Sequence, residues 1–325
     1  MMMEAKLKSI SNMKRHSLLA LFLILPLASC SNSNNEPAFE KKVFCFDSMM
    51  EIKLYEGSEE DLNKIEEIFL RFDKLADNYQ ARDLTNVYTL NQTNDPVLVS
   101  SDLYDLLMVS NLASTRDAKY FSPLCGSLSK LWKESLKNQQ IPSESAIQSE
   151  VSKIQNSSIS LKNDNYVERV GEAEIDLGAI AKGYALDEVK KYLDSKNLSK
   201  YLINGGYSSI LLGEKNTEDG FFSVGIKDLE NYTLSLKKCF VSTSGVSEQG
   251  VKIGDTMYSH IVNPYTGSAV NNYDTVVVIS DCGYLGDAIS TSLMMSSIDE
   301  IKKVEQSCGV KVIAIKDKTV VYKSE

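Results

Sequence analysis

Apolar residues recur along this chain at two spacings, one typical of helices and the other of strands. Between Leu62 and Leu75 they return every three or four positions, shortly after Ser58, a residue type that favours helix N-caps. The same spacing predicts a second amphipathic helix over residues 101–117. Three further helices are predicted near residues 181–196, 284–296 and 298–308.

Short runs rich in β-branched and aromatic residues predict a larger number of strands. The first run, residues 42–55, predicts one or two of them. The others are predicted near residues 158–162, 165–170, 200–204, 208–213, 221–226, 232–237, 239–243, 258–262, 274–280, 310–315 and 318–323. By contrast, the polar and serine-rich stretch 137–158 is predicted to be an excursion on the surface.

The order of these elements indicates the class of fold. Most predicted strands are spaced as hairpins, and the helices are interspersed among them irregularly. We therefore expect an α+β protein with mixed or antiparallel sheets, rather than a doubly wound α/β fold. Its length suits a single unit made of two intimately packed lobes.

The first thirty residues have the pattern of a targeting segment. Basic residues precede the apolar run 18–27, which is too short to span a bilayer permanently. The run ends in Leu27-Ala-Ser-Cys30, which has the form of a bacterial lipoprotein processing box. We predict a signal peptide over residues 1–29, a lipidated cysteine with a flexible tether over 30–42, and a folded domain over 43–325. The alternative is an ordinary cleaved signal with a coincidental cysteine.

The charge balance limits the partners of the protein. Its net charge of -9 at pH 7 argues against nucleic acid and against electrostatic docking on anionic lipid. The predicted lipid on Cys30 must therefore do the anchoring. We expect the protein on the extracytoplasmic face of a bacterial cell membrane.

Cysteine and histidine usage limits the possible metals. The six cysteines are scattered without a C-x-x-C pair, so neither a disulfide framework nor a zinc site is indicated, although one pairing stays open. His16 lies in the predicted signal, which leaves His260 as the single histidine of the mature chain. Sites with several histidines for zinc, copper or iron are thereby excluded. A metal here should be a hard cation bound by oxygens, which means magnesium, with calcium and manganese as alternatives.

The stretch 174–187 carries the most distinctive chemistry. Its apolar run 175–177 predicts a strand, Gly178 ends that strand, and a helix is predicted from about Ile180 with Lys182 in its first turn. A helix N-terminus with a lysine suits a ligand that bears phosphate. The standard nucleotide-binding motifs are absent, so an ordinary strand, turn and helix with an exposed lysine is the alternative.

Three other groups of residues suit the same kind of ligand. Asp287 and Thr291 stand four apart on a predicted helix and can offer two oxygens to a hard cation, unless Asp287 is only the helix N-cap. The turns 205–206 and 243–245 contain glycines that let the backbone approach oxyanions, although simple hairpin turns are the alternative. His260 could take a proton from an attacking hydroxyl or orient it, or it could be structural.

Five segments in this order and spacing resemble the FAD:protein FMN transferase family, flavin transferases formerly called thiamine-biosynthesis lipoproteins. The segments are residues 174–187, 203–206, 242–245, 260–267 and 287–293. The resemblance covers nearly all of the predicted mature chain. It implies a magnesium-dependent transferase that cleaves FAD, attaches FMN through a phosphoester to a Thr or Ser hydroxyl of an extracytoplasmic flavoprotein, and releases AMP. An FAD pyrophosphatase and a non-catalytic flavin-binding lipoprotein are the alternatives.

The resemblance also implies roles for individual residues. His260 and Asp287 would be catalytic, and the magnesium ligands would be Asp287, Thr291 and the backbone carbonyl of Ala179. The implied FAD-binding residues are Tyr79, Asp176, Lys182, Gly205, Gly206, Thr243, Ser244, Gly245, Glu248 and His260. The implied acceptors are subunits of membrane redox pumps or flavin-bearing reductases.

The chain departs from the family pattern at three places. Asn263 replaces the aspartate that is common in the H-I-x-D-P segment. Phe121-Ser-Pro-Leu124 stands where Phe-Asp-Pro-Thr is more frequent, and Asp77-Asn-Tyr79 stands for a Ser-x-Tyr element. The last two differences bear on contacts with the adenosine side of FAD and on the balance between transfer and hydrolysis.

Overall fold

A computed structural model describes residues 36–227, 229–246, 250–270 and 272–325. The predicted signal peptide, Cys30 and Glu248 lie outside these residues. The described residues belong to one compact unit. None of their helices is both long enough and apolar enough to cross a membrane.

Fifteen strands and eight α-helices are found in the described part of the chain. The strands are β1 (Phe39–Cys45), β2 (Ser48–Leu54), β3 (Val97–Leu98), β4 (Ser158–Leu161), β5 (Tyr166–Val170), β6 (Tyr201–Gly205), β7 (Ser209–Leu212), β8 (Phe222–Gly225), β9 (Thr233–Leu236), β10 (Cys239–Gly245), β11 (Val251–Ile253), β12 (Thr256–Tyr258), β13 (Thr275–Ser280), β14 (Lys311–Lys316) and β15 (Thr319–Lys323). The helices are α1 (Glu59–Ala76), α2 (Val87–Asn91), α3 (Ser101–Leu112), α4 (Gly126–Lys137), α5 (Glu144–Gln155), α6 (Ala181–Ser195), α7 (Gly283–Leu293) and α8 (Ile298–Cys308).

Eight of the strands form the central sheet, in the order β1-β2-β6-β7-β10-β13-β14-β15. Every pairing in it is antiparallel. The hairpins β8-β9 and β11-β12 and the three-stranded sheet β3-β5-β4 complete the described strands. The predicted α+β class with antiparallel sheets is confirmed.

The middle strands of the central sheet are buried on both faces. Val276 and Val278 of β13 belong to the large core that contains α1, α6 and α7, whereas Val277 packs on the other side in a smaller cluster with the β8-β9 hairpin. Successive side chains of a strand point to opposite faces. A strand covered on both faces is therefore apolar throughout, which explains the uninterrupted apolar run of β13.

Helix α1 shows how the sequence pattern produces the packing. Ser58 and Asp61 form a capping box at its N-terminus. The side chains of Leu62, Ile65 and Phe72 then fall on one buried face. The predicted helix and its N-cap are confirmed.

One prediction about the middle of the chain is wrong, and another is incomplete. Ile175 and Leu177 are buried, but residues 175–177 form no strand, because the side chain of Asn91 takes the hydrogen bonds of a strand partner. Its Oδ1 accepts the N–H of Ile175 at 2.8 Å, and its Nδ2 donates to the carbonyl of Ile175 at 2.9 Å. Most of the predicted surface excursion 137–158 is exposed, but the segment also contains α5, whose Ile147 and Val151 are buried in a cluster with Trp132 of α4.

Two further boundaries differ from the prediction. The helix predicted over 101–117 ends as an α-helix at Leu112 and continues as a π-helical turn over Ala113–Asp117. The strand predicted over 258–262 is limited to β12, which ends at Tyr258. The rest of the predicted range makes only an isolated β-bridge, between Val262 and Ala269. His260 therefore lies on irregular backbone.

The five cysteines of the described residues are unpaired. They are Cys45, Cys125, Cys239, Cys282 and Cys308. Burial raises the pKa of Cys45 and of Cys125 to about 12, so both thiols stay protonated at neutral pH. They behave as small apolar residues, as the sequence suggested.

Candidate active site

A cavity of about 580 Å³ lies between two sets of residues. We call "sheet wall" the lining residues of β7, β10, α7 and the start of α6, and "loop wall" those of α4 and of the segment that follows α1. The sheet wall contains Ala181, Lys182, Ser209, Thr243, Ser244, Gly245, Asp287, Ser290 and Thr291. The loop wall contains Asp77, Asn78, Tyr79, Gln80, Arg82, Ser129 and Lys133.

The cavity brings together most of the residues singled out from the sequence. Those that line it are Tyr79, Asp176, Ala179, Lys182, Thr243, Ser244, Gly245, His260, Asp287 and Thr291. They come from positions far apart in the chain, so the fold gathers them at one place. Sequence reasoning did not single out Asn78, Ser209, Ser290 or Lys133, which line the same cavity.

Gly205 and Gly206 are not among the lining residues. Gly206 has φ +73, and a Cβ there would lie 2.1 Å from the Oγ of Ser48. A Cβ on Gly205 would lie 2.6 Å from the carbonyl oxygen of Ser209. The two glycines thus make the tight turn between β6 and β7, as their alternative interpretation had it, and their contact with FAD stays a prediction. The neighbouring Ser208 and Ser209 reach the cavity instead.

Helix α6 directs its N-terminus and a lysine at the cavity. Asp176 accepts the N–H of Gly178 at 2.8 Å, which fixes the turn before the helix. Ala179 and Lys182 line the cavity on either side of the first helical residue, Ala181. The Nζ of Lys182 donates a hydrogen bond to Ser208. This geometry suits an anionic ligand.

The carboxylate of Asp287 is buried and joins three neighbouring elements. It is 7% exposed and lies inside α7, which begins at Gly283, so the N-cap alternative is wrong. Its oxygens accept hydrogen bonds from the N–H of Gly183 at 2.7 Å, from Ser209 at 2.9 Å and from Ser242 at 2.6 Å. Burial raises its pKa, which these hydrogen bonds and the charge of Lys182 oppose. A nearby cation would therefore stabilise the ionised form.

Helices α6 and α7 touch directly next to this carboxylate. A Cβ on Gly183 would lie 2.2 Å from the carbonyl oxygen of Gly283, and a Cβ on Gly283 would lie 2.3 Å from that of Gly183. Asp187 of α6 caps α7, because its carboxylate accepts the N–H groups of Gly283 and Tyr284, both at 2.7 Å. Burial raises the pKa of Asp187 to about 6 against these two hydrogen bonds.

The hydroxyl groups beside Asp287 complete a set of oxygens suited to a hard cation. Ser244 Oγ lies 2.9 Å from Ser290 Oγ and 3.3 Å from Thr291 Oγ1. The described residues contain no group of three or more His, Cys, Asp or Glu side chains that could hold a metal. A cation here would thus have one carboxylate, with hydroxyls and a ligand's phosphates as its other partners. Magnesium is commonly bound in this way, so the residues fit it.

His260 is uncharged at neutral pH. Burial, together with the charges of Lys133 and Lys182, lowers its pKa to about 4. Its Nδ1 is buried and has no hydrogen-bond partner among the described residues. A neutral imidazole next to two cations can accept a proton or a hydrogen bond from a hydroxyl.

The loop wall is held by surface contacts. Asp77 accepts the N–H groups of Tyr79 and Gln80 at 2.8 and 3.2 Å and forms an ion pair with Arg82 at 2.7 Å. Tyr79 is 55% exposed, and its hydroxyl accepts a hydrogen bond from Lys133 at 3.1 Å. This ring is accessible for stacking against a ligand ring.

In this α+β protein, one cavity joins a lysine at a helix N-terminus to a buried carboxylate and several hydroxyls, an arrangement that suits a phosphate-bearing ligand. The model of the ApbE family matches residues 46–314, and the chain belongs to this family. The resemblance noted in the sequence is thereby confirmed.

Several relatives carry the name FAD:protein FMN transferase. The protein of Klebsiella pneumoniae (strain 342) is 27% identical over 261 residues, which are 77% of this chain and 79% of that protein. The protein of Treponema pallidum (strain Nichols) is 25% identical over 66% of this chain and 64% of its own length.

Solved structures share the fold. The ApbE protein of Thermotoga maritima matches with a TM-score of 0.76 at 22% identity, over 88% of this chain and 97% of that one. The flavin transferase ApbE of Vibrio cholerae matches with a TM-score of 0.70 at 20% identity, with the same two coverages. At these identities the likeness concerns the fold.

Proposed function

We propose that this protein is a magnesium-dependent FAD:protein FMN transferase. It cleaves the diphosphate of FAD, attaches FMN through a phosphoester to a threonine or serine hydroxyl of an extracytoplasmic flavoprotein, and releases AMP. One observation carries the proposal: the N-terminus of α6 with Lys182, the buried carboxylate of Asp287 and the hydroxyl of Thr291 line the same cavity. Membership of the ApbE family and relatives of this name support it.

The transfer exchanges one phosphorus–oxygen bond for another. The acceptor hydroxyl oxygen bonds to the FMN phosphorus, the anhydride bond to AMP breaks, and the hydroxyl proton leaves. Such a reaction asks the protein mainly to align the reactants and to stabilise negative charge. Lys182 and the N–H groups at the start of α6 can bind the phosphate oxygens.

Asp287, Thr291 and the carbonyl of Ala179 are the residues that would hold magnesium. When bound, the metal would neutralise charge on the phosphates. Asp287 accepts hydrogen bonds from Gly183, Ser209 and Ser242. These hydrogen bonds hold its carboxylate in one orientation.

His260 is proposed to receive the proton of the acceptor hydroxyl on its unprotonated ring nitrogen. Its low pKa makes the imidazole a weak base. An anionic ligand between Lys133 and Lys182 would offset two of the charges that lower this pKa. Binding of FAD would thus make His260 more basic at the moment when a base is needed.

We also propose that the protein works on the extracytoplasmic face of a bacterial membrane, anchored by lipid on Cys30. The Leu27-Ala-Ser-Cys30 pattern supports this location. Acceptors would then be extracytoplasmic flavoproteins such as redox-pump subunits or reductases.

The proposal is tested by incubating the purified protein with FAD and magnesium, with and without a flavoprotein subunit that has a threonine attachment site. Fluorescent, covalently bound flavin on the acceptor together with released AMP is the expected result. Release of FMN and AMP without labelling of the acceptor would indicate an FAD pyrophosphatase. Unaltered FAD in both reactions would indicate a flavin-binding lipoprotein. Omission of magnesium is the control.

A further inference from the structure

Two lysines of α4 lie beside the ring of Tyr79, but only one of them faces the cavity. The Nζ atoms of Lys130 and Lys133 are 5.2 and 5.5 Å from the ring centroid. Lys130 forms a 2.6 Å ion pair with Glu174 and is not a lining residue. Lys133 lines the cavity and donates to the Tyr79 hydroxyl at 3.1 Å.

Lys133 keeps its charge without a carboxylate partner. Among the described residues, no ion pair joins it to an Asp or Glu. Burial lowers the pKa of Lys133, but the hydrogen bond to Tyr79 and the charges of Asp176 and Asp47 outweigh burial and hold the pKa above its usual value. Its one direct partner is thus a neutral phenol, which a more negative group can replace.

The cationic side chains that line the cavity differ in whether a carboxylate neutralises them. Arg82 is neutralised by Asp77 at 2.7 Å. Lys182, like Lys133, donates only to a hydroxyl group in the described part of the chain. Both lysines act electrostatically on His260, so two positive charges that lack a carboxylate within ion-pair distance are concentrated around that residue.

This arrangement suits a ligand with two adjacent negative charges. A diphosphate has that charge, and the N-terminus of α6 adds donors for the same oxygens. The lining also holds the carboxylates of Asp47, Asp73, Asp77, Asp176 and Asp287, so the cavity as a whole has no excess of positive charge. The positive charge that a diphosphate can meet is therefore local to Lys133 and Lys182, and Ser122, another lining residue, adds no further carboxylate.

We infer that Lys133 is a second phosphate-binding cation of this cavity, and that it binds the diphosphate of a dinucleotide ligand together with Lys182. The identity of the ligand as FAD rests on the function proposed above. The two lysines hold the diphosphate from the two walls, since Lys182 belongs to the sheet wall and Lys133 to the loop wall. On ligand binding, Lys133 exchanges the Tyr79 hydroxyl for a phosphate oxygen.

The test compares Lys133→Met with the matched control Lys130→Met and with the charge-conserving Lys133→Arg, each in the purified full-length protein. Calorimetry gives the dissociation constants for ADP and for riboflavin, which has the flavin ring but no phosphate. We expect Lys133→Met to weaken ADP about 10- to 100-fold, the range for a hydrogen bond to a charged group. Riboflavin affinity should stay unchanged, and Lys130→Met and Lys133→Arg should bind ADP like the wild type.

Three results would overturn the inference: unchanged ADP affinity in Lys133→Met, an equal loss of riboflavin affinity, or no ADP binding by the wild type. An equal loss for riboflavin would mean that Lys133 only supports the ring of Tyr79. The proposed function fails separately, through the wild-type reaction with FAD. A protein that binds ADP through Lys133 but leaves FAD intact would refute the transferase and leave the inference standing.

Discussion

On the sheet wall, Asp287 is 7% exposed, and its two oxygens accept hydrogen bonds from α6, β7 and β10. On the loop wall, Tyr79 is 55% exposed and is fixed mainly by Asp77 and Lys133 at the surface. The first wall is continuous with the core, whereas the ring of Tyr79 in the second lies exposed at the surface. We therefore expect changes in the sheet wall to affect turnover, and changes in the loop wall to affect affinity.

The largest effect is expected from Asp287→Asn, which should abolish turnover without unfolding the protein. The variant removes the one charged oxygen ligand while it keeps the shape of the side chain. Because burial raises the pKa of Asp287, the fold disfavours its charge, and the Tm without metal should be equal to or above that of the wild type. AMP release from FAD and thermal unfolding measure the two effects.

Thr291→Val is the matched control for that experiment, because it removes a neutral oxygen from the same face of α7. The variant should bind magnesium less tightly, but turnover should not be abolished. Magnesium-dependent AMP release that survives in Asp287→Asn at saturating FAD would refute the metal assignment.

His260→Ala should lower the rate of FMN transfer by about 10²–10⁴-fold, the usual contribution of a general acid or base. FAD affinity and Tm should change little, because Nδ1 has no partner among the described residues whose loss would cost stability. Single-turnover transfer, FAD affinity and Tm are measured on the same variant. A parallel fall of Tm and FAD affinity would assign His260 a structural role.

The protonation of His260 should make stability depend on pH in a defined window. Its pKa falls from 6.5 to about 4 on folding, so the unfolded chain binds the proton first as pH decreases. The contribution of His260 is complete above pH 6.5 and is lost as pH falls towards 4, by at most about 3 kcal/mol. Asp187, with its raised pKa, works in the opposite direction between pH 3.8 and about 6.

The contribution of His260 is isolated by the difference between wild type and His260→Gln in urea unfolding at each pH. That difference should change in favour of the variant as pH decreases. A constant difference from pH 7 to 4.5 would mean that His260 titrates normally in the folded protein.

A smaller effect on stability is expected from Asp187→Ala, which leaves the N–H groups of Gly283 and Tyr284 without their cap. The loss should be about 1–2 kcal/mol, as for other helix caps. Turnover should fall moderately, since α7 carries Asp287. Asp194→Ala is the control, because Asp194 lies on the same helix in an exposed pair with Lys190. Equal Tm values for the two variants would contradict the capping role.

Much of the fold was predictable because each helix or strand that packs on the core needs apolar residues at its own characteristic spacing. The β13 run and the helix behind Ser58 are examples, since their apolar residues face the core at fixed intervals. The apolar pattern gave a wrong prediction at residues 175–177. Ile175 and Leu177 are buried there, but the side chain of Asn91, rather than a neighbouring strand, makes the backbone hydrogen bonds of Ile175. The apolar pattern also missed α5, whose few apolar residues pack against Trp132 of the preceding helix.

The residues of the candidate site also divide into those that the sequence predicts and those that it does not. Asp287 with Thr291, and Lys182 at a helix start, could be predicted because their relation is local in sequence. Asp187 and Gly183 lie inside the most distinctive stretch, but their contact with Gly283 depends on how two helices meet. Lys133 had no local signal, because its significance arises from Tyr79, which lies on another element.

The smallest effect is expected from Tyr79→Phe, which separates the ring of the loop wall from its hydroxyl. The hydroxyl competes with a phosphate for Lys133, so its removal should leave FAD affinity within about threefold of the wild type. Tyr79→Ala also removes the ring and should weaken FAD by about tenfold, as the loss of a stacking partner does. Flavin fluorescence titration measures both constants. A loss of FAD affinity in Tyr79→Phe as large as in Tyr79→Ala would show that the hydroxyl itself binds the ligand. The loop wall would then bind the ligand through a fixed polar contact, as the sheet wall does.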